Sequence, residues 1–393
     1  MRVIIIGAGI GGLAAALTMR RAGIEVEVFE QSAALREIGA GIQISPNASR
    51  ILQRLGLASS MREYGVRPLA VHIRRWDNGR TLARQLLGDE CERTFGAPYY
   101  HFHRAELLDL LAAAVPAHVI HLDHRCVGLK RYSDRVEVKF HNGAIADADL
   151  VVGADGIHST MRELILGAES PRFSGHVAYR GLVPAERLAY LGLEVNASSW
   201  WGPNHHFVHY FVGAGARYVN WVAIMPGEWR IESWTAQGEV ADALREFDGW
   251  YPQVSAIIGA ADATNRWALY DRDPLVRWTA GRVTLLGDAA HAMLPYMAQG
   301  AVQAIEDAAV LAKCLERVGR DALAPALHHY EEIRKPRTAR CQEGSRRNGE
   351  MYHLVDGEQQ QLRDVTLGSV TTVPLPQNVW LYGHDVEAEF LEV

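Results

Sequence analysis

The sequence predicts an α/β fold in which a doubly wound, mostly parallel sheet is interrupted by an antiparallel sheet and followed by long C-terminal helices. Residues 2–30 read as strand, glycine turn, helix and second strand. Alternating strands rich in Trp, Tyr and Val run from Gly175 to about Met225. A parallel-sheet signature returns at residues 281–294, and two long helices follow at about 298–317 and 322–350. Because αβ segments flank a β-rich insert, the first domain is expected to be discontinuous, over 1–70, 98–173 and 270–350. The β-rich domain then takes 71–97 and 174–269, and residues 351–393 form a C-terminal segment.

The first element carries the most information. An apolar, β-branched run from Val3 to Ile6 meets glycines at Gly7, Gly9 and Gly12. Gly7 permits the tight turn, Gly9 lets a pyrophosphate approach the backbone, and Gly12 lets the helix pack close to the sheet. The helix N-terminus offers free N–H groups and partial positive charge. Glu30 ends the second strand, where a carboxylate accepts both hydrogens of a ribose diol. This frame reads as a Rossmann-like dinucleotide site rather than a chance glycine turn. The Met-Arg start resembles a signal peptide, but glycines interrupt the apolar stretch and no small-residue cleavage site follows. It is also shorter than the roughly 20 residues of a membrane span, so a soluble chain is expected.

In the stretch 36–57, Gly39 and Gly41 break the chain and Pro46-Asn47 starts an amphipathic helix with Ile51, Leu52 and Leu55 on one face. Residues 69–87 alternate as strands around an Asn78-Gly79 hairpin turn. A helix begins near Arg104, and strands at about 125–132 and 135–140 are joined by Ser133-Asp134. Residues 149–164 form a buried strand, a turn at Asp155-Gly156 and a helix capped by Ser159. Residues 239–259 read as helical, and the last forty, with Pro374 and Pro376, give no clear element.

Composition narrows the function. At 393 residues, 48% hydrophobic and 22% charged, the chain has ample material for a core. A net charge of -6 gives no electrostatic reason to bind nucleic acid. The stretch Arg334, Lys335, Arg337, Arg340, Arg346, Arg347 is interspersed with acids and reads as a solvated helix face or an intersubunit surface, leaving a homodimer open. Cys91, Cys126, Cys314 and Cys341 have neither CxxC nor metal-like spacing and suit a reducing, cytoplasmic setting.

The glycine loop, Gly153-Ala154-Asp155-Gly156 and Gly287-Asp288 each end a strand, where ligands of doubly wound sheets gather. After Asp288 a loop runs into a helix at Gln299-Gly300-Ala301, whose N-terminus suits partial negative charge. Together these motifs resemble the single-component FAD-dependent aromatic hydroxylases, over nearly the whole chain. The strings Gly39 to Asn47, Ala178-Tyr179-Arg180-Gly181 and His291 to Asp307 are most similar to the salicylate, 3-hydroxybenzoate 6- and 6-hydroxynicotinate 3-hydroxylase group. The resemblance implies FAD as cofactor, NADH or NADPH as cosubstrate, and hydroxylation of a small phenolic or hydroxypyridine carboxylic acid through a flavin C4a-hydroperoxide. It also implies flavin movement between outward and inward positions, which needs uncrowded backbone at Gly41 and Gly300. No second GxGxxG in a βαβ frame appears, as expected if the nicotinamide donor docks briefly.

By that likeness Glu30 binds the AMP ribose, Arg104 lies beside the cofactor, Asp288 meets the ribityl and pyrophosphate region, and Asp155-Gly156 serve both FAD and the nicotinamide donor. Gly300 and Ala301 open the helix toward the flavin, and Cys126 matches a position whose backbone meets adenine. Family loops read Gly-Gln-Gly where this chain has Ala298-Gln299-Gly300. His206 and Tyr210 match a histidine and tyrosine that face substrate; their even separation puts both on one strand face, with His209 opposite. His206 is the expected base and Tyr210 a substrate hydrogen-bonding group; a neutral histidine suits that task. Gln43, Pro295 and Tyr296 are expected at the substrate pocket, and His291 is expected to be structural.

Plain packing is the alternative for His206 and Tyr210. A metal at His205, His206 and His209 is disfavoured, since 206 and 209 point opposite ways with no acid nearby. Other flavoproteins of this architecture, an epoxidase or a reductase, and a non-catalytic flavin-binding sensor remain alternatives.

Overall fold

The five strands of the parallel sheet lie in the order Val283–Leu285, Leu150–Gly153, Arg2–Ile6, Glu25–Phe29 and Ile120–His121. Every neighbouring pair in it is parallel. Its central residues are buried because helices cover the faces, as an all-parallel sheet requires. The computed structural model describes residues 1–35, 40–230, 236–319, 322–368 and 376–390; the expected break at Gly39 and the proline at Pro374 lie outside them. Helix Ile10–Arg21 crosses helix Gly300–Leu315 closely. A Cβ on Gly11 would lie 3.0 Å from that of Ala304, and Thr18 Oγ1 donates to Ala308 O at 3.0 Å.

The second sheet has eight strands, drawn from residues 70–86 and 172–271. Its middle runs Thr264–Asp271, Arg172–Pro184, Tyr218–Pro226, His205–Val212, Ala197–Gly202 and Ala70–Arg75. Its pairs are antiparallel except that of Ala197–Gly202 with Ala70–Arg75. One face packs its own apolar cluster around Trp200, Phe207, Trp221 and Phe247.

Several expectations need revision. The stretch 239–259 is two helices, Val240–Glu246 and Pro252–Gly259, because Gly249 takes φ +76° and Pro252 starts a new N-terminus. The arginine-rich helix Leu323–Tyr352 is not simply a solvated face: Arg334 is fully buried and Arg337 nearly so. Both reach inward to acids on helix Gly300–Leu315, pairing that sequence spacing alone does not reveal. The unplaced tail contains helices Glu358–Gly368 and Pro376–Tyr382, the latter packing Leu381 and Tyr382 against Cys91, Phe95 and Tyr99.

Candidate active site

A cavity of about 470 Å³ opens between the carboxyl ends of the parallel strands and one face of the eight-stranded sheet. Gly9, Arg104, Gly156, Asp288, Gly300 and Ala301 line the first side. Gly41, Gln43, His206, Tyr210, Pro295 and Tyr296 line the other. Gly7, Gly12, Glu30, Cys126 and Asp155 do not reach it.

Strand parity explains the far wall. On His205–Val212 the residues His206, Val208 and Tyr210 face the cavity, whereas His209 lines a separate cavity of about 700 Å³. On the neighbouring strand Asn220, Val222 and Ile224 do the same. Asn220 was not anticipated, although one amide in an apolar alternation was the available signal. Its Oδ1 accepts from Gly41 N at 2.7 Å, tying the strand Gly41–Ile44 to the sheet. Gly41 must lack a side chain, since a Cβ there would lie 2.5 Å from Tyr210 Cε2 and 2.7 Å from Asn220 Cγ. Tyr99 donates to Gln43 Oε1 at 2.6 Å and fixes that amide.

The glycine loop behaves as its spacing predicts. A Cβ on Gly12 would strike Gly7 O, while one on Gly9 would meet nothing within 4 Å. Gly9 therefore leaves open the approach that a phosphate needs. Glu30 accepts from Ala8 N at 2.8 Å and Ser32 N at 2.9 Å, so its carboxylate is fixed against this loop. Asp155 turns its carboxylate away from the cavity, accepting from Ser159 Oγ and from Met161 N at the start of helix Thr160–Leu166. Burial raises the Asp155 carboxyl, and these bonds oppose the rise. Cys126 Sγ packs 3.7 Å from Met161 Sδ, as a buried thiol.

Beneath the Gly287-Asp288 turn lies a buried charge network. Asp307 accepts from Gly287 N at 2.9 Å and Arg334 Nε at 2.7 Å, and lies 2.6 Å from His291 Nε2. Glu306 accepts from Arg334, Arg337 and Asn47. This network holds the turn that presents Asp288. Asp288 itself stands exposed in the cavity at the head of this turn.

Gly300–Leu315 points its N-terminus into the cavity, and a Cβ on Gly300 would meet only Asp288 Oδ1, at 3.8 Å. Ala298, also in the wall, adopts φ +53°, a left-handed conformation that favours glycine. A glycine would adopt it without strain. Open backbone at Gly9 and Gly300, a fixed acid at Glu30 and a helix N-terminus at the far end together fit a flavin dinucleotide.

His206 is 2% exposed; burial, then His353, His176 and His205, push its imidazole well below the ordinary range. It is neutral at physiological pH. Burial raises the Tyr210 phenol, against a bond with Gln43, so Tyr210 stays protonated.

A family profile described as "FAD binding domain" matches residues 1–345. The chain belongs to that FAD-binding family. This flavoprotein is 43% identical over 384 residues to 3-amino-4-hydroxybenzoate 2-monooxygenase PtmB3 of Streptomyces platensis, covering 98% of this chain and 96% of the relative. It is 38% identical to 6-hydroxynicotinate 3-monooxygenase of Bordetella bronchiseptica, covering 88% and 91%. The solved structure of Klebsiella pneumoniae HpxO complexed with FAD and uric acid superposes with a TM-score of 0.84 at 30% identity, covering 94% and 93%. The flavoprotein is accordingly an FAD-dependent, aromatic-ring monooxygenase that consumes NAD(P)H and O2. Among the described residues no helix is long and apolar enough to cross a membrane.

Proposed function

We propose that the chain hydroxylates a small phenolic or hydroxypyridine carboxylic acid, with His206 as base and Tyr210 as hydrogen-bonding partner. The observation that carries this reading is the shared face of His206 and Tyr210 in a cavity that also holds Gly9, Asp288 and Gly300. Among the described residues the charged lining of that cavity is Arg104, Arg180 and Asp288, a net positive balance that suits the anionic groups of FAD and of a carboxylate guest together. The substrates named for the relatives are aminohydroxybenzoate and hydroxynicotinate, both of this class.

Gly9, Glu30, the Cys126 backbone and Gly156 would hold the AMP and pyrophosphate end of FAD on the loop that Gly7, Gly12 and Asp155 shape, Asp288 its ribityl and pyrophosphate region, and Arg104, Gly300 and Ala301 its flavin half. Bound FAD would supply the chemistry that turns O2 into an electrophilic oxygen donor, which belongs to the cofactor. The chain's own task is to orient the ring and take its hydroxyl proton. His206 accepts that proton at Nε2, Tyr210 donates to the ring oxygen, and Gln43, Pro295 and Tyr296 form the walls. We further assign the two large sheets to the two expected domains and the cytoplasm as the compartment of these free thiols, with light scattering to decide the homodimer that the sequence leaves open.

The test is substrate-stimulated NADH oxidation with hydroxybenzoates, aminohydroxybenzoates and hydroxynicotinates, followed by product identification. His206→Ala should retain FAD and lose at least about 100-fold in hydroxylation rate, the low end for loss of a general base. Full coupling in that variant overturns the assignment.

A further inference from the structure

His206 uses one ring nitrogen away from the cavity: its Nδ1 lies 2.7 Å from His353 Nε2. His353 follows helix Leu323–Tyr352 immediately and is nearly buried. The His176 ring, on strand Arg172–Pro184, lies 4.6 Å from that of His353 and is half-buried. The Nδ1 atoms of His353 and His176 are both buried and have no hydrogen-bond partner among the described residues. Tyr296 and Tyr352 flank His206, with ring centroids at 5.3 Å and 5.4 Å.

We propose that His353 is a positioning residue that holds His206 in its Nδ1–H tautomer and carries the substrate's proton onward toward His176 and solvent. This rests on His206 as the base.

Two physical arguments lead there. The hydrogen bond made by one imidazole nitrogen sets the protonation of the other. If His206 donates from Nδ1 to His353 Nε2, its Nε2 lone pair faces the ring hydroxyl, the arrangement a base needs. The second argument is burial. The groups that bear electrostatically on His206 are His353, His176 and His205, which all disfavour an imidazolium there. Burial likewise holds His353 down to about 3, with His176 and His205 adding to it. A proton that rested on either ring would be costly in this setting. Passing it through avoids that charge. The substrate O–H bond breaks with its electron pair left on oxygen, and the proton bonds to His206 Nε2. The Nδ1 proton of His206 moves to His353 Nε2, and the Nδ1 proton of His353 passes to a water that enters beside the His176 ring and so to solvent. Each ring begins and ends neutral, with its tautomer exchanged.

The first experiment needs no substrate. In oxidised holoenzyme labelled with 15N-histidine, the signals lost in His206→Ala identify His206. They should report the Nδ1–H tautomer; an Nε2–H tautomer in the wild type overturns the proposal. His353→Gln keeps an acceptor for that proton but cannot pass it on. It should keep the tautomer and the FAD content yet slow hydroxylation roughly tenfold, part of a general base's contribution. His353→Ala should lose the tautomer preference as well. Because His353 acts through His206, the double variant His206→Ala/His353→Ala should be no slower than His206→Ala within about twofold, whereas additive losses overturn the relay. Wild-type rates in both His353 variants, with His206→Ala impaired, sink this inference alone. A fully coupled His206→Ala sinks the base assignment beneath it.

Discussion

Asp307 Oδ1 lies 2.7 Å from Arg334 Nε, and both side chains are fully buried. Charges so far from water persist only when paired and hydrogen-bonded. Arg334 meets that condition by donating to Asp307, Glu306 and the side chain of Gln303. Arg334→Met should therefore leave Asp307 without its guanidinium and Glu306 with Arg337 as its remaining cation, destabilising the fold by about 3–5 kcal/mol. Urea unfolding would measure the loss, and FAD release should become faster because Asp307 also holds Gly287 N.

Acid should reveal the same network. Glu306 is held down to about 2 by Arg334 and Arg337, against the opposing effect of burial, from an ordinary value of 4.5. Its folded value is lower than its unfolded one, so its stabilisation is complete above about pH 4.5 and lost as pH falls toward 2. Unfolding midpoints should fall from pH 7 to pH 5 because His206 and His353 are buried neutral and charge on unfolding, and the Glu306 contribution should appear as a further fall between pH 5 and 3. In Glu306→Gln the part of that fall contributed by Glu306 should disappear.

Gly41→Ala should displace Tyr210 and Asn220, the side chains its Cβ would meet. Hydroxylation should fall by at least about tenfold, the scale of a misplaced substrate contact, and coupling should worsen. Unchanged kinetics would mean that the wall yields without cost.

Ala298→Gly should stabilise the protein. An alanine in the left-handed region carries roughly 1–2 kcal/mol of strain, of which glycine's unfolded-state entropy returns only part. Thermal unfolding of the holoprotein should rise by about 1–2 °C, given the size scaling of such shifts. A lower midpoint would show that neighbouring contacts already compensate the strain.

Much of the fold is local in origin and therefore legible. The glycine spacing at 7, 9 and 12 predicts the turn that forms, and Ser159 caps its helix by accepting from Arg162 N. The two-residue period alone sets His206 and Tyr210 toward the cavity and His209 away. What the sequence conceals is pairing between distant segments. Arg334 reads as a surface cation until Glu306 and Asp307 are seen across from it. His353 lies where the helical pattern ends, and only the chain's return brings it beside His206. Strand Thr264–Asp271 is set by its pairing with Arg172–Pro184 rather than by an alternation of its own.

Helix Leu323–Tyr352 touches both halves of the chemistry. Near its middle Arg334 braces the acids under the Gly287 turn, and at its far end Tyr352 lies against His206. Eighteen residues of helix at 1.5 Å each make a strut of about 27 Å between them. Pro336 removes one backbone hydrogen bond near its start, but the strut cannot shorten, so the cofactor's bed and the guest's wall keep a common spacing. A lesion at one end should be felt at the other without any chain of intermediaries.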